Sequence, residues 1–304
     1  MINLDLLRKI KAAGNSRSPI YTSVNFGTRW NKMEEKLPYG AQVSFMSKIK
    51  KDLIFGTDNM GLFLREQNKS AWIQIGNKLP GKKINAIHVS NNVRYVSVYG
   101  QGIFVSNNKV ITCRSLNYNL ENLKVRAIIK IRDQLFAGTD DGIFKFIGGI
   151  NVWQSVAEGV QINSFNQYEG EIMAGTNPGV LLSDHGLKNW NWIHRKGAEH
   201  NTEVLNGQVF IMYMSGELYI AQDANSLLKV DYSSEMTSTV YDIVLFQNHL
   251  IMSNSDGIHE STGNGRSWSR IYKTNDIVIY DFLVIDNILI GGKKKWVQGG
   301  KNKC

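Results

Sequence analysis

One short pattern recurs about every forty residues, and it limits the folds open to this chain more than any other feature does. It is clearest at Asp52-Leu-Ile-Phe-Gly-Thr-Asp-Asn-Met-Gly-Leu-Phe-Leu64: an apolar strand, a tight turn closed by glycine, a second apolar strand. It returns at Gln134-Leu-Phe-Ala-Gly-Thr-Asp-Asp-Gly-Ile-Phe144, Glu171-Ile-Met-Ala-Gly-Thr-Asn-Pro-Gly-Val-Leu181 and His249-Leu-Ile-Met-Ser-Asn-Ser-Asp-Gly-Ile-His259. Looser copies are Val96-Ser-Val-Tyr-Gly-Gln-Gly-Ile-Phe104 and Phe210-Ile-Met-Tyr-Met-Ser-Gly-Glu-Leu218. The closing glycines Gly61, Gly102, Gly142, Gly179, Gly216 and Gly257 lie 41, 40, 37, 37 and 41 residues apart. Short strands alternating with period two at this spacing predict an all-β propeller with one four-stranded antiparallel blade per repeat.

Within the repeat at 84–116, Ile84–Val89 reads as the innermost strand, Tyr95–Tyr99 as the second, Ile103–Ser106 as the third and Val110–Cys113 as the fourth. The same template places further blades at 41–78, 124–157, 160–196, 200–233 and 239–274. Two incomplete pieces remain. Residues 18–33 resemble an outer half-blade, and residues 277–292 supply two inner strands and stop. Either half alone would expose an unpaired edge, so joining them is expected to close a ring of seven. Outer-strand tryptophans recur at Trp30, Trp72, Trp153, Trp190 or Trp192, and Trp268, and are expected to wedge between blades. The domain reading is a basic extension at 1–17 that includes a short amphipathic helix, one propeller at 18–296, and a basic tail at 297–304.

The net charge of +9 would suit a nucleic-acid groove if it lay in the body. It does not: residues 1–17 and 293–304 carry nine Lys and Arg against Asp5 alone, leaving 26 basic and 25 acidic residues between them. The termini read first as solubilising tails and alternatively as a docking patch for an anionic partner such as a phospholipid headgroup or RNA, and ring closure would bring them to one blade. No apolar run approaches the roughly 18 residues of a membrane span. Met1–Ile10 is interrupted by charge and does not read as a signal peptide, so the default expectation is cytoplasmic, or secreted if a leader has been removed. Of the two cysteines, Cys113 is expected in the core, and Cys304 lies in the tail. Neither they nor the six histidines have metal-ligand or nucleophile–base spacing, so no metal, cofactor or catalytic residue is assigned.

Ser23-Val-Asn-Phe-Gly-Thr-Arg-Trp30 matches the pattern Ser-x-Asp-x-Gly-x-Thr-Trp with Asn for Asp and Arg for Thr, and Ser261-Thr-Gly-Asn-Gly-Arg-Ser-Trp268 matches it with Gly263 in the acid's place. The chain thus resembles the Asp-box, or BNR-repeat, propellers of the sialidase superfamily. In style it is most similar to the non-enzymatic photosystem assembly-factor and sortilin-type members. The resemblance implies that Ser23, Asn25, Gly27, Trp30, Ser261, Gly265 and Trp268 serve the fold, in turns between third and fourth strands. A sialidase of that superfamily needs three convergent arginines, and here only Arg126 sits at the start of an inner strand. Other glycosidases need two carboxylates about 5–10 Å apart. Asp58, Asp140, Asp141 and Asp256 occupy turn positions that explain them structurally. Asp242 after Tyr241, and Asp281 after Tyr280, interrupt inner strands. The expectation is a non-enzymatic propeller that recognises a protein partner through its loop face. Candidate binding residues are Lys83, Arg126, Asp140, Asp141, Tyr241, Asp242, Tyr280 and Asp281. The alternative is a lectin or glycoside hydrolase with its site at the channel mouth.

Overall fold

A computed structural model describes residues 19–33, 40–67, 69–110, 112–223, 226–231, 239–273 and 278–293. The expected helix in the N-terminal extension and the C-terminal basic tail lie outside these residues. Seven four-stranded antiparallel sheets make up the described chain. They pack as the blades of a propeller, each blade's innermost strand contacting that of the next. The ring closes as the two half-blades required. In blade 1 the order from outside inward is Asn31–Lys32, Ile20–Ser23, Ile288–Lys293, Ile279–Ile285, with Ile20 opposite Gly292 and Ser23 opposite Leu289. This splice gives each half-blade the partner its edge would otherwise lack.

The innermost strands of blades 2 to 7 are Val43–Ile49, Ile84–Ser90, Val125–Ile131, Ile162–Tyr168, Glu199–Leu205 and Val240–Phe246. Seven apolar clusters fill the seams between blades. The turn-closing glycines are needed on two counts. Gly142 has φ +134° and Gly257 φ +152°, and a Cβ on either would come within about 2 Å of an outer-strand carbonyl oxygen. A side chain is thus excluded both by conformation and by space.

The tryptophans wedge as expected, with one refinement. Trp153 is buried, its Nε1 donating to Leu116 O of the preceding blade at 2.5 Å. Trp190 meets Phe136 of blade 4 edge-on, whereas Trp192 remains 36% exposed. Blade 3 has Cys113 at this place, half-buried rather than in the deep core. Its seam is fastened differently: Lys109 Nζ reaches 2.5 Å from Glu66 Oε1 and 3.2 Å from Asp52 Oδ2 of blade 2.

The third-to-fourth-strand turn at Ser23 is held by its own side chains. Gly27 N donates to Ser23 Oγ at 3.1 Å and Arg29 N to Asn25 Oδ1 at 3.3 Å. Gly265 N donates to Ser261 Oγ at 3.1 Å in the matching turn. Ser23→Ala is expected to cost about 1–2 kcal/mol in urea denaturation, because it leaves the Gly27 amide buried without its acceptor.

Blade 3 corrects the sequence reading. Its fourth strand is Arg114–Ser115 rather than Val110–Cys113. The turn that follows Ser106 is of the same kind, Asn108 Oδ1 accepting Thr112 N at 3.0 Å, which postpones the strand. Val110, at φ +64°, stands where the other two turns have Gly27 and Gly265. A β-branched residue in that region is unusual, and its presence hid the motif.

Candidate functional site at the channel mouth

Every innermost strand is irregular at its start, the pairing slipping by one residue just after the first position. The slip leaves Ser44, Asn85, Arg126, Asn163, His200, Tyr241 and Tyr280 out of the ladder, one per blade, around the mouth of the central channel. A bulge of this kind re-aims a side chain. Three of the seven are used to tie blades together. Ser44 Oγ donates to Ile84 O at 2.5 Å, Asn85 Nδ2 to Val125 O at 3.3 Å and Asn163 Nδ2 to Glu199 O at 2.6 Å.

Arg126 does something else. Its Nε donates to Asp140 Oδ1 and its Nη2 lies 3.4 Å from the Tyr99 hydroxyl. Tyr99 donates in turn to Asp140 Oδ2 at 2.8 Å. Lys83 Nζ stands 4.1 Å from the centre of the Tyr99 ring and Arg126 Cζ 5.4 Å from it. Lys124 Nζ is 3.9 Å from Asp140 Oδ2. Burial and the bond to Asp140 raise the Tyr99 pKa, so it remains a neutral phenol. Two cations thus lie over one aromatic face on blades 3 and 4, and a third, Lys124, approaches the acid beside it. A cation over a ring face is attracted by the ring's quadrupole, which fixes these chains before any ligand arrives.

Of the sequence candidates, Lys83, Arg126 and Asp140 come together here. Tyr99, which organises them, was passed over as the last residue of a strand; its place next to Gly100 at a loop-face turn was the available signal. Asp141 stands apart: its N–H donates to Thr139 Oγ1 at 3.1 Å within the turn, and its carbonyl accepts Gly159 N, just past the outer strand, at 3.3 Å.

The second group is brought together across blades 7 and 1, with the Tyr241 and Tyr280 ring centres 5.7 Å apart. Tyr241 is buried. Asp242 accepts Ile243 N at 2.9 Å and Phe282 N of blade 1 at 2.6 Å. Asp281 accepts Met46 N of blade 2 at 2.5 Å. These acids act as clasps between neighbouring innermost strands. Burial pushes the Asp242 carboxyl up to about 7, and burial together with the charge of Asp242 raises Asp281 well above the usual carboxylate range. Among the described residues, no three or more His, Cys, Asp or Glu are placed to hold a metal ion, and no helix is long and apolar enough to cross a membrane.

No protein-family model matches the chain, and no curated protein matches it in sequence. Solved structures match it in shape. The complex titled YCF48 bound to D1 peptide has TM-score 0.66 at 15% identity, over 86% of this chain and 94% of that one. The extracellular domain of BT4673 from B. thetaiotaomicron has TM-score 0.68 at 14% identity, over 86% of this chain and 38% of that one. The GH74 enzyme of Niastella koreensis has TM-score 0.65 at 15% identity, over 84% and 51%. Peptide-bound and enzymatic propellers are both among the neighbours, so the likeness establishes the fold and leaves activity to the site.

Proposed function

We propose that this propeller is a binding module without catalytic activity, and that it takes an extended segment of a protein partner across its loop face. The contact would centre on Tyr99, Lys83, Lys124 and Arg126. The observation that carries this reading is the pre-assembled rim itself. Its side chains are already ordered by one another, so a ligand that meets them forfeits little rotamer entropy. Three cations against one acid favour a segment that brings carboxylates, and the Tyr99 ring adds an amphipathic face. The complex of YCF48 with D1 peptide supports peptide binding by a chain of similar shape. The glycan reading draws on the Tyr241–Tyr280 pair, but Tyr241 is buried and both nearby acids already accept backbone amides.

Affinity capture from native lysate tests the proposal with two baits, the wild-type chain and K83E/K124E. Both lysines are exposed, so the variant should keep the wild-type thermal midpoint. The expected result is a protein partner retained by the first bait and lost from the second. Identical capture by both baits, or turnover on a panel of glycosides, would rule the reading out.

A further inference from the structure

Six blades end in outer strands of two to five residues. Blade 4 ends in Val152–Glu158, seven residues long. This strand pairs on one side with Gly142–Ile147, and among the described residues no strand lies along its other edge. Among the described residues, Asn119 Nδ2 donates to the Trp153 carbonyl at 3.3 Å. Exposed edges are usually blunted by shortness, lysine or proline. This one has none of these, and its single charge is Glu158 at the end.

Alongside lies a groove of about 410 Å³ between blades 4 and 5. Val156, Ala157, Val160 and Leu181 line it with Trp190 and Trp192, and polar side chains, Glu158 and Lys188 among them, complete the lining. At the opposite end of the strand, in the turn before it, Ile150 is 70% exposed.

These features fit one another through a twofold axis. Ser155 is the midpoint of the strand. An antiparallel copy in full overlap sets Val152 opposite Glu158, and two residues further on it sets Ile150 opposite Val160, a residue of the groove. We propose that blade 4 is a self-association edge. Two copies of this chain pair their Val152–Glu158 strands about an axis at Ser155, and each seats Ile150 in the groove beside the other's Trp190 and Trp192. The symmetric contact uses each feature twice, as an isologous interface does. The two Glu158 carboxylates fall at opposite ends of the ladder, so no like charges face each other. The bulge at Val156 and the Asn119 amide on the Trp153 carbonyl each interrupt the ladder. The paired segment is about 23 Å long. It is small beside a standard interface of about 800 Å² per partner, so a weak, concentration-dependent dimer is expected. The inference is independent of the loop-face reading, because the outer wall and the channel mouth share none of these residues.

Sedimentation velocity on the full chain tests it, across a loading series from about 5 to 500 µM, which brackets a micromolar dimer. The expected result is a monomer–dimer transition that I150D shifts at least tenfold to higher concentration. V24D, which charges a comparably exposed side chain on blade 1, should leave the transition in place. Amide exchange at 154–157 should slow with concentration in the wild type and not in I150D. A monomer throughout the series, a dimer indifferent to I150D, or no added protection at 154–157 would each overturn the proposal.

Discussion

Glu199→Ile should stabilise the protein by about 2 kcal/mol at neutral pH, raising the thermal midpoint by several degrees, with a larger gain at pH 9 than at pH 5. The first residues of the seven innermost strands are Val43, Ile84, Val125, Ile162, Glu199, Val240 and Ile279, all almost wholly buried. Six are β-branched aliphatics. Ile162 packs over the bare backbone of Gly138 in the neighbouring blade, and Glu199 sits in the same way over Gly175. One of its carboxyl oxygens receives the Ser164 hydroxyl at 3.2 Å, and the other has no hydrogen-bond partner among the described residues. Burial raises its pKa well above the ordinary value. An isoleucine restores the pattern of the other seams, removes the orphaned oxygen and adds apolar burial. Glu199→Gln is the control, since it retains a polar group without a full set of partners and should gain little. The sign with pH follows from the raised folded-state value. Whatever stability the acid allows is fully present below its unfolded pKa, about 4.3, and is lost as pH rises through the folded value. Urea titrations of both variants at pH 5, 7 and 9 check this. An isoleucine variant less stable than wild type at pH 7 would show that the carboxylate is doing structural work unseen in its contacts.

Glu199 also shows where reading the sequence stops. The repeat made the fold legible because its glycines, period-two strands and tryptophans each answer to a local requirement. Even the joined half-blades follow from the need to pair edges. Substitutions that trade one local device for another were harder to see. Val110 in a left-handed position concealed a turn, and Cys113 at a tryptophan's place concealed the Lys109 bridge that fastens the seam. The candidate site was half legible. Arg126 stood out as the one arginine on an inner strand, but Tyr99 became visible only once blades 3 and 4 stood side by side. The Tyr-Asp pairs were visible as anomalies. Their job as clasps depended on which backbone amides the neighbouring blade would present, and no single repeat encodes that.

Stability should fall by several kcal/mol between pH 4 and pH 9, about 4 kcal/mol of it from Asp242 alone, because the channel is lined by acids that are easier to bury neutral than charged. Glu203, Asp242 and Asp281 come from the innermost strands of blades 6, 7 and 1. Burial is the first cause of all three raised values, and the charge of Asp242 adds to it at Glu203 and Asp281. The backbone amides of Phe282 and Ile243 pull Asp242 downward, yet its pKa still stands at about 7. On the other inner strands His88 is depressed by burial and by Lys130, so it supplies no compensating charge near neutrality. The stability that depends on these carboxyls being neutral is therefore intact below their unfolded values, near 4. It is lost as pH rises through 7 and beyond, when adjacent blades acquire like charges at their closest approach. Asp281→Asn separates charge from clasp. The amide oxygen can still accept Met46 N, so this variant should match wild type at pH 4 and exceed it at pH 9. Asp281→Ala, which removes the clasp as well, should be less stable than wild type at pH 4. Chemical denaturation of the three proteins across that range distinguishes the outcomes. A flat wild-type profile, or an asparagine variant that tracks wild type at every pH, would mean that the channel carboxylates are solvated well enough to ionise without cost to the ring.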